Sequence, residues 1–260
     1  MRIAVILAIG LVTPPVHALD CVVKKELRVD ADGAPDSYRV DGNGLSYTCD
    51  GVYAIVDGVE HNQDNDKEHW QALCKEHWAR ARATGDYSQV HVFGFEMGPD
   101  GRPVVQGPGD PLPGAAYLST TSMKIPGTAP RTQAQYVNAS EIPYVVWGNG
   151  KGLARGDMVI VVRPSSGRVA YAIFGDCCRI GEGSVRLHQD LGSNPISVGH
   201  DGIRRAKRGI EEPVGFVPLP GVHPTPTTDV ARWRAEIKRL GDEALAKAGG
   251  VEAIKKICSR

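Results

Sequence analysis

The sequence predicts a mainly β (α+β) protein: a small closed β-barrel with peripheral helices and a C-terminal helix. Two observations predict it. The 260 residues include 31 Gly and 18 Pro, a supply of turn formers that suits short strands joined by many loops better than a helical bundle. Between residues 115 and 191 the apolar runs are closely spaced and separated by glycine turns, the pattern of a sheet curling toward closure. Neither a glycine period nor a low-complexity run is present, which excludes a collagen-like or long disordered chain.

The elements follow in order. Residues 1–18 read as a secretory signal peptide: Arg2, an apolar stretch from Ile3 to Val12, then Val16-His17-Ala18 at the cleavage point. That stretch is shorter than the ~20 residues that span a bilayer, so no stable membrane insertion is expected and the mature chain is placed in the periplasm or outside the cell. Residues 19–226 form the expected β-rich catalytic domain. Leu27 to Asp30 and Val52 to Val56 read as strands with Asp-Gly and Asn-Gly turns between them. Asn65 to Ala83 lacks Gly and Pro and repeats Trp70, Leu73, Cys74 and Trp78 at helical spacing, which predicts an amphipathic helix with its Trp stripe in the core. Val90 to Phe95 is a strand, and Met97 to Gly114 a loop. Ala116 to Leu118, Ile142 to Trp147, Met158 to Val162 and Val169 to Phe174 are further strands, the last two joined by a hairpin at Gly167. Ser184 caps a short helix that Gly192 stops. After a Pro-rich connection, residues 227–260 form a helical segment packed on the domain, with Val230, Trp233, Ile237, Leu240 and Ala244 as its apolar stripe behind the N-cap Asp229.

Charge and cysteines narrow the function classes. The 30 Lys+Arg balance 30 Asp+Glu, which excludes a polyanion binder built on bulk charge. The basic run Arg204-Arg205-Ala206-Lys207-Arg208 has no interleaved aromatic, so no nucleic-acid partner is expected. Six cysteines, Cys21, Cys49, Cys74, Cys177, Cys178 and Cys258, argue for disulfides in an exported chain, and Cys258 is placed to staple the tail to the body. The adjacent Cys177 and Cys178 are open to a vicinal disulfide, but bridges to separate, distant partners are the expectation. With no Cys-x-x-Cys or His-rich spacing and no phosphate-loop pattern, neither a metal nor a cofactor is expected. A monomer fits these limits.

The chemistry concentrates between Tyr171 and Ser184. Asp176 ends an apolar strand and Glu182 follows a bend punctuated by Gly175, Gly181 and Gly183. Fully extended, the six steps between the acids would span ~20 Å, too far to act on one bond. A chain reversal would bring them to the ~6.5–9.5 Å separation of inverting glycosidases, in which one carboxyl protonates the leaving oxygen and the other activates water. Asp30 and Asp32 are candidates for binding substrate ammonium groups, in a pattern that also suits a turn. Tyr144 and Trp147 are candidates for stacking on sugar rings, although alternate strand residues also suit a core.

The stretch YAIFGDCCRIGEGSVRLHQDLG, from Tyr171 to Gly192, resembles the signature of glycoside hydrolase family 75, the endo-acting chitosanases. Arg28 to Gly33, Ser119 to Ser122 and Ile142 to Asn149 agree with further family segments in the same order. The resemblance is good from about Gly101 to Gly192 and weaker elsewhere. It implies Asp176 and Glu182 as the catalytic pair, with Glu182 as general acid and Asp176 as base; a helix starting at Ser184 would instead keep Glu182 ionised through its N-terminal dipole and reverse the roles. Cys177-Cys178-Arg179 departs from the family pattern, and Arg179, a cation in the substrate path, opposes a polycation such as chitosan. By analogy with wall-active hydrolases carrying similar signatures, the barrel is expected to be of the double-psi type. The implied activity is endo-hydrolysis of β-1,4 bonds in chitosan or a related amino-sugar polymer. Beside it stand a peptidoglycan-directed glycan hydrolase and a non-catalytic wall-binding or inhibitor protein on the same barrel.

Overall fold

The computed structural model describes residues 19–148 and 152–259; the expected signal peptide lies outside them. In chain order the elements are β1 (Val22–Lys24), β2 (Arg28–Asp30), β3 (Val52–Val56), β4 (Val59–His61), α1 (Trp70–Thr84), β5 (Val90–Val92), β6 (Tyr144–Val146), β7 (Met158–Arg163), β8 (Arg168–Asp176), β9 (Glu182–Ser184), α2 (Val185–Asp190), β10 (Ile196–Val198), β11 (Arg204–Ala206), β12 (Val214–Leu219), α3 (Val230–Lys247) and α4 (Val251–Cys258). Among the described residues the protein is mainly β with four α-helices, one of them C-terminal, as expected. Seven strands form one curled sheet in the order β1-β12-β7-β8-β6-β9-β2, flanked by a three-stranded sheet, β4-β3-β5, and the hairpin β10-β11.

The closed barrel is a correction. β1 and β2 end the seven-stranded sheet without pairing to each other, so it stops at a half-barrel, and its order does not show a double-psi arrangement. Each end strand is only three residues long. Other layers close the structure instead. Strand β7 alternates between two cores: Met158, Ile160 and Val162 pack on one face of the sheet, Val159 and Val161 on the other, as the two-residue side-chain period requires. The first face is covered by Trp233, Ile237 and Ile254 of the C-terminal helices. A third core lies between α1 and the three-stranded sheet, around Val52, Cys74, Trp78 and Phe95.

Several turns and caps form where the sequence places them. Gly167 adopts a positive φ of 67° between β7 and β8, Ser184 Oγ accepts the Leu187 N–H at 3.1 Å to cap α2, and Asp229 accepts the Arg232 N–H at 3.0 Å to cap α3. Ala116 to Leu118 makes only single bridges, Ala116 to Arg39 and Tyr117 to Val105, rather than a strand ladder. The α1 helix begins at Trp70 instead of Asn65, because Asn62 and Asp66 hold the preceding residues in turns through their own side chains. Arg205 of the basic run is structural: it donates to the Gly42, Gly44 and Ser46 carbonyls and lies 4.4 Å above the Tyr47 ring.

The disulfides are Cys21–Cys258, Cys49–Cys74 and Cys177–Cys178. The first ties α4 to β1, as expected for Cys258. The third corrects the expectation of separate partners for the adjacent cysteines: the other four are consumed in two pairs, which leaves Cys177 and Cys178 to each other. No helix among the described residues is long and apolar enough to cross a membrane.

The seating of α3 yields a stability prediction. A Cβ on Gly241 would lie 2.1 Å from the Tyr171 ring of β8. Alanine normally gains about 1 kcal/mol over glycine in a helix, but here it must push α3 off the sheet, and overpacking of this kind costs roughly 1–3 kcal/mol. Gly241→Ala is therefore expected to lower the urea-unfolding free energy, whereas a stabilised variant would show that the helix is not held against Tyr171.

Candidate active site

Strand register brings the two catalytic candidates together. On β6, Val146 pairs with Asp176 of β8, while Val145 pairs with Gly183 of β9 in the antiparallel sense, so one step further along Val146 is flanked by Glu182. Asp176 and Glu182 thus both flank Val146, across a register shift between Val145 and Val146, two strand spacings or roughly 9–10 Å apart at the backbone, and both line one cavity. Of the three glycines in the bend, only Gly181 takes a left-handed φ, 116°. That residue reverses the chain; Gly175 and Gly183 lie within strands.

Both acids open into a cavity of about 740 Å³ between the half-barrel and the three-stranded sheet, and Asp30, Asp32 and Arg179 line it too. Asp176 Oδ1 accepts the Ser122 N–H at 2.8 Å and the Cys177 N–H at 2.7 Å. Burial lifts this carboxyl to about 6 despite those two donors, and the charge of Glu182 adds to the lift. Glu182 sits opposite Arg28 in the parallel β2–β9 pair and meets its guanidinium at 2.6 Å. Burial raises Glu182 as well, but Arg28 and Arg179 oppose the rise.

Asp30 and Asp32 stand beside Asp176, and carboxylate oxygens of the three lie within 4.8 Å of one another. Burial pushes Asp30 well above the ordinary carboxylate range, and Asp176 adds repulsion; burial does the same to Asp32, with Asp30 as its nearest repelling charge. Tyr38 donates to Asp32 Oδ1 at 2.7 Å, and the Asp32 N–H donates to Asp30 Oδ1 at 2.8 Å. Burial and mutual repulsion thus oppose full ionisation of the trio. Asp30, Asp32 and Asp176 are also the residues that could hold a hard, oxygen-ligated cation.

The remaining sequence candidates fall differently. Tyr144 is fully buried and donates from its hydroxyl to the Asp32 carbonyl at 2.8 Å, so it positions the acid loop and presents no ring to the cavity. Trp147 is 1% exposed and belongs to the core on the far face of the sheet. Arg179 does reach the cavity, but its guanidinium is engaged by Asp64 at 2.8 Å. Sequence reasoning missed the roles of Arg28 and Tyr38, which depend on strand partners remote in the chain. It also missed Tyr53, Phe93 and Trp70 on the cavity wall; the alternation of Val52, Tyr53 and Ala54 could have shown that Tyr53 faces away from the small core. No protein-family model matches the chain, and no curated protein matches it.

Proposed function

We propose that the protein is an exported glycoside hydrolase that cuts β-1,4 bonds within chitosan or a related amino-sugar polymer by inverting acid/base chemistry, in line with its resemblance to family 75. The single supporting observation is that Asp176 and Glu182 flank Val146, and their two-strand spacing leaves room for a sugar and a water between the carboxyls. The environments favour Asp176 as the general acid: it is buried, lifted to about 6, and able to keep a proton on the oxygen that the backbone does not engage. Glu182, facing Arg28 and preceding the capped start of α2, is the better base because both features favour its ionised form. This reverses the roles that the family resemblance implies.

A base must be ionised and an acid protonated, so the rate falls as pH drops through the Glu182 value, above the ordinary glutamate range, and falls again as pH rises through about 6. Reducing-end release from partly deacetylated chitosan by the purified mature protein tests the activity, and the pH profile tests the roles. Glu182→Gln is expected to lower kcat by about 10²–10⁴-fold and to remove the acidic limb from what activity remains. An unchanged rate in Glu182→Gln and Asp176→Asn alike would end the proposal. A second reading, cleavage of peptidoglycan glycan strands, is favoured by the cations Arg28, Arg179 and Lys207 on the cavity wall, which suit a carboxylate-bearing glycan; product analysis on sacculi against chitosan separates the two.

A further inference from the structure

We infer that Tyr53 and Phe93, edged by Trp70, form a platform on which one pyranose ring of the polymer stacks beside the scissile bond, an inference that rests on the glycosidase reading above. The three-stranded sheet buries Val52, Ala54 and Val90 against α1. Strand alternation then turns Tyr53 and its partner His91 to the opposite face, with Phe93 following. The rings of Tyr53 and Phe93 pack at a centroid distance of 4.5 Å, yet Phe93 remains 39% exposed. Neither ring belongs to the neighbouring core, which is filled by Tyr38, Trp78, Phe95 and Tyr117. The two rings pack on each other and on His91 rather than on that core, and with Trp70 they line the same space as Asp176 and Glu182, where a ligand can meet them.

The occupant follows from the chemistry of the two walls. A pyranose carries axial C–H groups on its faces and hydroxyl or amino groups around its rim. Its face suits the negative π surface of an aromatic ring, while its rim needs polar partners. Here the rim would meet Arg179, held by Asp64, and Glu182, both of which act electrostatically on the Tyr53 hydroxyl. A flat aromatic ligand could use the platform but would leave the carboxyls unengaged; an aliphatic chain would leave both unengaged.

The test combines steady-state kinetics on partly deacetylated chitosan with affinity electrophoresis in gels containing soluble glycol chitosan. Phe93→Ala and Tyr53→Ala are expected to raise KM about ten-fold with kcat changed less than three-fold, and to abolish retardation in the gel. Phe93→Tyr should restore both, and Phe93→Leu, which keeps bulk without a π face, should not. If the wild type cleaves chitosan but the alanine variants match it in KM and retardation, or if Phe93→Leu rescues fully, the platform is wrong and the hydrolase reading stands. If the wild type is retarded through Phe93 without releasing reducing ends, the platform stands and the hydrolase reading fails. A wild type that neither cleaves nor binds overturns both.

Discussion

Asp176→Asn is expected to lower kcat at least 10³-fold, within the usual range for loss of a general acid, and at the same time to stabilise the fold at neutral pH. The sign follows from linkage. In the folded protein this carboxyl binds its proton up to about 6, against an ordinary value of 3.8, so the folded state takes up a proton that the unfolded chain releases. Below 3.8 both states are protonated and there is no penalty. As pH rises from there to about 6, stability falls, and above 6 the full cost of burying the charge remains, about 3 kcal/mol. Asparagine has no charge to bury, and its carbonyl oxygen can still accept the Ser122 and Cys177 N–H groups. It also removes a repelling neighbour from Asp30 and Asp32. Chemical denaturation of both proteins at pH 4 and pH 7 checks this: the variant should gain roughly 3 kcal/mol over the wild type at pH 7 and little at pH 4. An equal gap at both pH values would mean that Asp176 is not held in an environment hostile to its charge.

Removing the Cys21–Cys258 bridge is expected to give the largest loss of stability from any local change. The bridge joins residues 237 apart, and the chain-entropy treatment assigns such a loop roughly 5 kcal/mol of restriction on the unfolded chain. The Cys21→Ser/Cys258→Ser double variant, which leaves no unpaired thiol, should melt about 10 °C or more below the wild type. The Cys49–Cys74 bridge spans 25 residues and should cost about 3.5 kcal/mol when removed. The Cys177–Cys178 bond joins sequence neighbours, so the chain-entropy treatment assigns it little stabilisation; it sits on the cavity wall beside Asp176, whose carboxyl the Cys177 N–H contacts. Equal melting points for the double variant and the wild type would mean that β1 and α4 stay together without the covalent tie.

What the sequence disclosed depended on how local the determining forces were. The β7–β8 hairpin, the Ser184 and Asp229 caps and the α3 stripe were legible because each is set by residues within a turn or two of one another. Asp176 and Glu182 were legible as candidates because a glycine bend and an apolar strand end sit beside them. Their juxtaposition was not, since it is fixed by β6, about 30 residues upstream and running parallel to β8 on one side and antiparallel to β9 on the other. Tyr144 and Trp147 were candidates for stacking on sugar or for packing in the core, and the core took both: β6 is buried on both faces, so alternation does not distinguish the site from the core. Trp70 does both: it packs against the third core, as its helical spacing suggested, and from the first turn of α1 it also lines the cavity. Closure of the barrel failed as an expectation because periodicity counts strands and says nothing about which strands meet at the ends.

The interval between the two acids is set by Val146 and its backbone rather than by either acid's own loop. Hydrogen-bonded neighbours in a sheet come in whole steps, so this gap can take only discrete values: one step is too narrow for a bound water and three are too wide for proton transfer to a single linkage. Under the proposed inverting mechanism, rim segments can therefore lengthen, shorten or exchange side chains, retuning which polymer is admitted, while the stereochemical outcome at the anomeric carbon stays tied to the presence of that single intervening strand.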